Sequence, residues 1–240
     1  METIAGSVAL VSGAGGGIGR AVARALVAAG AEAWLVGRTE QTLDETARLC
    51  GPGSTRTRRV DVTDKGEVVA LLGELEREVG RLDVFVQAAG TMERGTFAEA
   101  PPESFDHLYT TNVRAFYVFV QAALPLLRHA EGQIVVVNSS VVSGPRPGVG
   151  QYAATQHALR ALTDTLRQEV NADGVRVLSV FPGRTATPLQ ERAYAEDDRA
   201  YTPELLLQPE DLATMIVSAL GLPRSAEVTD IHIRPMLKSY

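Results

Sequence analysis

Short apolar runs alternate with longer stretches of helical spacing along this chain. The first run, VALVS at Val8–Ser12, is continuously apolar and ends in glycines. GIGRAVARALVAAG follows with helical spacing and closes at Gly30. EAWLVG is a second run, and VDV at 60–62 a shorter third. Val68, Leu72, Leu75 and Val79 then recur at intervals of four, three and four, which is one stripe of a helix. LDVFVQ (82–87) is the fourth run, and a long helical region runs from about Pro102 to Arg128. QIVVVNS (133–139) is the fifth run, followed by a helix carrying YAATQHALRAL (152–162). VRVLSV (175–180) is the sixth and ends at Pro182-Gly183. PEDLATMIVSAL reads as a helix with Pro209 near its start, and VTDIHI as a short last strand.

Strands that are apolar nearly throughout, each followed by a helix, belong to a parallel sheet covered on both faces. The expected fold is therefore α/β. One doubly wound domain spans residues 1–240, with about seven strands and right-handed crossovers. No linker or internal repeat divides the chain. The segment Pro188–Gln208 is polar, weakly periodic and follows the C-terminal end of a strand, where ligands bind in such sheets. It is expected to be a substrate lid (188–208) or a plain surface excursion.

Composition narrows the partners. Lys and Arg number 23 against 29 Asp and Glu, a formal charge of −6, which argues against a broad nucleic-acid footprint. The one basic cluster, Arg56-Thr57-Arg58-Arg59, reads as a solvated loop. A single cysteine, Cys50, excludes an intrachain disulfide and fits a reducing, cytoplasmic compartment. It reads as an inert helix-end residue. No segment approaches the roughly 18 consecutive apolar residues of a membrane span. No basic region precedes the first apolar stretch as in a signal peptide. No metal site is expected.

SGAGGGIGR joins the first strand to the first helix. Gly13, Gly17 and Gly19 are spaced so that the backbone turns tightly and approaches a pyrophosphate. The helix N-terminus behind them offers free N–H groups and the positive end of its dipole. A glycine triplet is weak evidence alone, and its place between strand and helix strengthens it. At the end of the second strand stands Gly37-Arg38-Thr39, with no carboxylate. A carboxylate there receives the ribose hydroxyls of NAD, and a cation receives the 2′-phosphate of NADP. Arg38 is a planar, permanent donor suited to phosphate, so NADP(H) is favoured over NAD(H).

The turn spacing resembles that of the short-chain dehydrogenase/reductase family, T-G-x-x-x-G-x-G, with Ser12 for the threonine. The likeness covers nearly the whole chain. DVTD (61–64) resembles the family segment at the adenine, and QAAG (87–90) a divergent N-N-A-G. Asn112 in TTNVRAFYVF matches the family's helix asparagine. Ser139 lies thirteen residues before Tyr152, the family spacing, and FPGRTAT (181–187) matches P-G-x-x-x-T.

The resemblance implies a Rossmann fold and hydride transfer between nicotinamide and a carbonyl or secondary alcohol carbon. It makes Tyr152 the general acid, Ser139 a donor to the carbonyl oxygen and Asn112 part of a water-linked proton path. For the cofactor it implies Ser12, Gly13, Gly15, Gly16, Gly17, Ile18 and Gly19 at the turn. Arg38, Thr39, Asp61 and Val62 would lie at the adenosine. Ala88, Ala89, Gly90, Tyr152, Gln156, Pro182, Gly183, Thr185 and Thr187 would line the rest. Ser139 as a cap and Asn112 as a buried structural amide are the alternatives. The family usually forms homodimers or homotetramers through its long helices.

One position departs from the family. Gln156 stands where the family carries a lysine, four residues and one helical turn beyond the tyrosine. An amide can bond ribose hydroxyls but supplies no charge to acidify a phenol. His157, Arg160 and His107 are not convincing substitutes. Arg146 and Arg184 border the family's substrate cleft and either receive an acidic substrate or face water. Three readings follow. The chain is an NADP(H)-dependent oxidoreductase attenuated by Gln156. Alternatively, it binds the cofactor but serves non-redox chemistry or a non-catalytic subunit role. In the third, Gln156 is an introduced substitution in an ordinary enzyme.

Overall fold

The computed structural model describes residues 4–144, 146–196 and 198–237. Pro145, in the expected substrate loop, and Asp197, in the expected lid, lie outside them. The elements alternate as the hydrophobic pattern predicts: β1 (Val8–Ser12), α1 (Gly17–Ala28), β2 (Glu32–Gly37), α2 (Glu40–Cys50), β3 (Thr55–Arg59), α3 (Lys65–Glu78) and β4 (Val84–Gln87). Two helices, α4 (Pro102–Tyr109) and α5 (Ala115–His129), precede β5 (Gln133–Val137). Then come α6 (Gly150–Val170), β6 (Arg176–Pro182), α7 (Pro188–Glu196), α8 (Pro209–Leu220) and β7 (Asp230–Ile233).

The seven strands form one parallel sheet in the order β3-β2-β1-β4-β5-β6-β7. Side chains alternate across it, so each strand feeds two cores. Leu10, Trp34, Val36, Phe85, Ile134 and Val136 pack with α3, α5 and α6 on one face. Ala9, Val11, Leu35, Val86, Val135 and Val180 pack with α1 and α8 on the other. Burial on both faces is why these strands read as continuous apolar runs. The strand order reverses between β1 and β4, which opens a crevice outside their C-terminal ends.

The third strand corrects two expectations. It runs over Thr55–Arg59, not over 60–62, and the arginine cluster is the strand rather than a solvated loop. β3 is the sheet edge, where charged side chains discourage pairing with another chain. Its arginines are also partnered. Arg56 and Arg58 lie 5.4 and 5.1 Å from the Trp34 ring centre. Arg58 Nε donates to Glu74 at 2.9 Å, and Arg56 pairs with Glu78. Val60 and Val62 follow the strand and are buried in the core, which is why they read as strand.

The long helical region is also divided. A π-helical turn at Thr110–Arg114 joins α4 to α5 and carries Asn112. Such turns bulge the helix and turn a side chain out of its regular face. The expected lid holds α7 and a single helical turn at Pro203–Leu205, so it is more ordered than its weak periodicity suggests. Cys50 ends α2, and burial raises its thiol pKa, in line with an inert residue.

Candidate active site

The glycine turn is built for close approach. Gly13 has φ +69°, and a Cβ there would lie 2.7 Å from the Ala89 nitrogen. A Cβ on Gly19 would lie 2.2 Å from the Gly13 carbonyl oxygen, so this residue lets α1 meet the turn. Gly17, at φ +50°, faces Thr187 across the cleft, where a Cβ would come within 3.0 Å. Gly16 differs: a Cβ there meets nothing within 4 Å. It stands at the N-cap of α1, which has no side-chain cap hydrogen bond. An anion fits the open space beside it.

Arg20, which the sequence reading missed, braces this turn. Its guanidinium donates to the Gly15 carbonyl at 2.7 Å, to Thr46 at 3.0 Å and to Glu45 at 2.9 Å. Ser12 is fully buried and works behind the turn rather than in the cleft. Its hydroxyl donates to Gln87 at 3.0 Å and accepts from the Ala88 and Ala89 nitrogens at 3.2 Å each. It thereby fixes the end of β4, and Ala88, Ala89 and Gly90 line the cleft from there.

The far end of β2 carries Arg38, exposed and close enough to Asp61 to lower its carboxyl pKa. The larger cause is the pair of bonds Asp61 accepts from Thr63, at 2.9 Å from the nitrogen and 2.7 Å from the hydroxyl. Arg59 adds a second positive charge beside Asp61. It is in register with Gly37 on the neighbouring strand. Thr39 is the N-cap of α2, and Val62 is buried behind this end.

A cleft of about 970 Å³ opens beside the glycine turn. Ile18, Asn112, Ser139, Tyr152, Gln156, Pro182, Gly183, Thr185 and Thr187 all line it. The Ser139 hydroxyl accepts from the Val141 nitrogen at 3.2 Å, so it does cap the short helical turn after β5. It stands near enough to the Tyr152 hydroxyl to lower the phenol pKa. Asn138, another residue that sequence missed, ties the two elements together. Its amide donates to the Gln156 backbone carbonyl at 3.1 Å, and its oxygen accepts from the Ser139 nitrogen at 2.7 Å.

Asn112 is 2% exposed and engaged on every side. It accepts from the Thr91 nitrogen at 2.8 Å and donates to the Thr91 carbonyl at 2.9 Å and to Thr155 at 3.2 Å. Both amide hydrogens are thus bonded within the protein. Thr187 accepts from the Gln190 nitrogen at 3.2 Å at the start of α7, and Thr185 donates to the Gly183 carbonyl at 3.0 Å.

Among the described residues no cation acidifies Tyr152. Burial pushes its phenol above the ordinary 10.0, and the Ser139 contact offsets this only in part. Tyr152 is half-buried and borders the cleft. The Gln156 side chain, 4% exposed, makes no hydrogen bond to the described residues. Among the described residues no lysine lines the cleft. The expected poor substitutes are engaged elsewhere. His107 lies 3.7 Å from Glu93, Arg160 lies 5.3 Å from the Phe181 ring centre, and His157 contacts the Ala153 carbonyl at 2.8 Å. Arg146 and Arg184, by contrast, both line the cleft.

Known proteins resemble this chain in sequence and in fold. The sequence profile of short chain dehydrogenases matches residues 7–198. An uncharacterised oxidoreductase of Staphylococcus aureus (strain USA300) is 31% identical over 239 residues, covering 98% of this chain and 100% of the relative. One from Staphylococcus haemolyticus is 30% identical, with the same coverage. An alcohol dehydrogenase of the archaeon Thermococcus sibiricus, solved with 5-hydroxy-NADP, superposes with a TM-score of 0.87 at 27% identity, over 98% of each chain. A metagenomic short-chain oxidoreductase solved with NADP superposes at 0.84 with 25% identity, over 99% of this chain and 100% of that one. The chain belongs to the short-chain dehydrogenase/reductase family and is an NAD(P)-dependent oxidoreductase of that family.

Proposed function

We propose that this protein is an NADPH-dependent reductase of carbonyl compounds, and in reverse a dehydrogenase of secondary alcohols, slowed by Gln156. The observation that carries this reading is that Ser139 and Tyr152 line one cleft beside the glycine turn, with Ser139 near enough to oppose the rise in the Tyr152 pKa. The turn and the α1 N-terminus hold the pyrophosphate. Arg38, joined by Arg59 from β3, receives the 2′-phosphate. Two structural relatives solved with NADP or its derivative support that choice.

Bound NADPH supplies a hydride to the carbonyl carbon. Ser139 donates its hydroxyl hydrogen to the carbonyl oxygen, since its own acceptor site already serves Val141. Tyr152 gives that oxygen its proton. Gln156 would bond the nicotinamide ribose, Thr187 would hold the carboxamide, and the Pro182-Gly183 backbone would lie beside the nicotinamide. Asn112 holds the kink and, through its backbone, the proton path. Asn138 positions Ser139 against α6. The segment Pro188–Gln208 covers the substrate side, to which Leu189, Gln190 and Tyr194 contribute.

A second reading, a cofactor-binding protein without redox turnover, is favoured by one observation: no described cation acidifies Tyr152. Titration with NADPH and NADH, paired with turnover on aldehydes, ketones and secondary alcohols, separates the two. The expected result is at least tenfold tighter NADPH and slow but saturable carbonyl reduction. NADPH binding with no oxidation across the panel selects the second reading, and equal affinity for NADH overturns the cofactor choice.

A further inference from the structure

Among the described residues, every charged side chain that lines the cleft is an arginine. Five arginines line it: Arg94, Arg146, Arg184, Arg199 and Arg234. They come from five separate places, four of them the loops after β4, β5, β6 and β7. No Asp or Glu lines it among the described residues. Yet the chain as a whole has 29 acidic residues against 23 basic ones. A low-dielectric cleft lined by one sign of charge focuses that potential on whatever enters.

The cofactor does not account for these side chains. The pyrophosphate has the glycine turn, and the 2′-phosphate has Arg38 and Arg59, neither of which lines the cleft. Arg184 follows Pro182-Gly183 directly and is held in place, donating to the Tyr194 hydroxyl at 3.1 Å. Tyr194 is in turn covered by Arg199, 4.8 Å from its ring centre, and by Tyr201 edge-on at 5.7 Å. Arg146 stands seven residues after Ser139 and is exposed toward solvent. Arg184 and Arg146 thus follow the ends of β6 and β5, the strands that deliver the nicotinamide platform and Ser139. Guanidinium groups match carboxylate and phosphate oxygens in a planar fork, which ammonium groups do not.

We propose that the substrate is an anionic carbonyl compound, whose carboxylate or phosphate is received by Arg146 and Arg184 while its carbonyl faces Ser139 and Tyr152. This rests on the reductase reading given above. The hydride of NADPH goes to the carbonyl carbon and the Tyr152 proton to its oxygen. The products are the hydroxy acid, or hydroxy phosphate, and NADP⁺. Arg94, Arg199 and Arg234 line the same cleft and are not required as direct ligands.

Matched pairs test the proposal: acetoacetate against methyl acetoacetate, and dihydroxyacetone phosphate against dihydroxyacetone. The expected result is a kcat/KM at least tenfold higher for one or both anions than for the neutral partner, falling as salt rises. The better pair names the acid group. Arg146→Gln and Arg184→Gln should each lower the anion-to-neutral ratio by about tenfold or more, as expected for a charged hydrogen bond. A ratio cancels any general loss of activity, and exposed Arg146 serves if the Arg184 variant fails to fold. Neutral partners reduced as well as both anions overturn the proposal. So does an NADPH Kd that weakens in step with the ratio, which assigns the arginines to the cofactor. Calorimetry of malonate against dimethyl malonate on the NADPH-loaded protein keeps the two levels apart. Arginine-dependent malonate binding without any turnover sinks the reductase reading and leaves the anion site standing. No preference for malonate, beside normal reduction of neutral ketones, does the reverse.

Discussion

Replacing Gln156 by lysine should convert a slow proton relay into a fast one. In the native protein the Tyr152 phenol is raised above 10.0 by burial, with only Ser139 to oppose it. Alcohol oxidation needs the phenolate. Its rate should therefore climb about tenfold per pH unit through neutral pH and still be rising at pH 10. Position 156 is one helical turn from Tyr152 on the same helix face and lines the same cleft. An ammonium within about 4–6 Å of a phenol lowers its pKa by roughly 1–3 units. The Gln156→Lys oxidation profile should therefore level off about 1–3 pH units sooner. At pH 7 that corresponds to roughly 10- to 1,000-fold more phenolate. The NADPH Kd should change less than fivefold, because both side chains can bond ribose hydroxyls. Substrate-saturated NADP⁺ reduction, followed at 340 nm between pH 6 and 10.5, measures the shift. A native profile already flat near pH 7 would refute the reasoning, since some other group would then acidify Tyr152. An unchanged profile in the variant would do the same, provided the variant binds NADPH.

Other consequences are as direct. Gly16→Ala should leave the melting temperature nearly unchanged, because its Cβ meets nothing, yet weaken NADPH in a fluorescence titration. Gly19→Ala should instead destabilise the fold by about 1–3 kcal/mol or more in denaturant unfolding, because its Cβ strikes the Gly13 carbonyl. Arg38→Ala should weaken NADPH by about 10- to 100-fold and leave NADH within threefold in parallel titrations. Asn112→Ala removes three hydrogen bonds and should cost about 1–3 kcal/mol, lowering the melting temperature by about 2–4 °C for each kcal/mol.

The strands at the centre of the sheet were legible because both faces are buried and their residues are apolar in series. β3 was not, because an edge strand needs only one paired side and its polar face carries arginines stacked on Trp34. The glycine turn, Ser139 and Tyr152 were legible from spacing, since each is set by the local chain. Asn138, Arg20 and Arg59 were not. Asn138 acts through α6, Arg20 reaches α2, and Arg59 matters only through its register with Gly37. The arginines of the cleft show the same limit. Arg146 and Arg184 stand beside recognisable motifs, whereas Arg94, Arg199 and Arg234 join them only once the loops after separate elements converge.

The central claim is that Tyr152 remains the proton donor with glutamine in the lysine's place. The most direct test is single-turnover NADPH oxidation by native protein and by Tyr152→Phe, with the best carbonyl from the panel and the NADPH Kd measured on both. The account predicts slow but complete turnover in the native protein, a loss of about 100-fold or more in the phenylalanine variant, and an NADPH Kd within about fivefold of native. Equal rates in the two proteins at matched NADPH occupancy would contradict it.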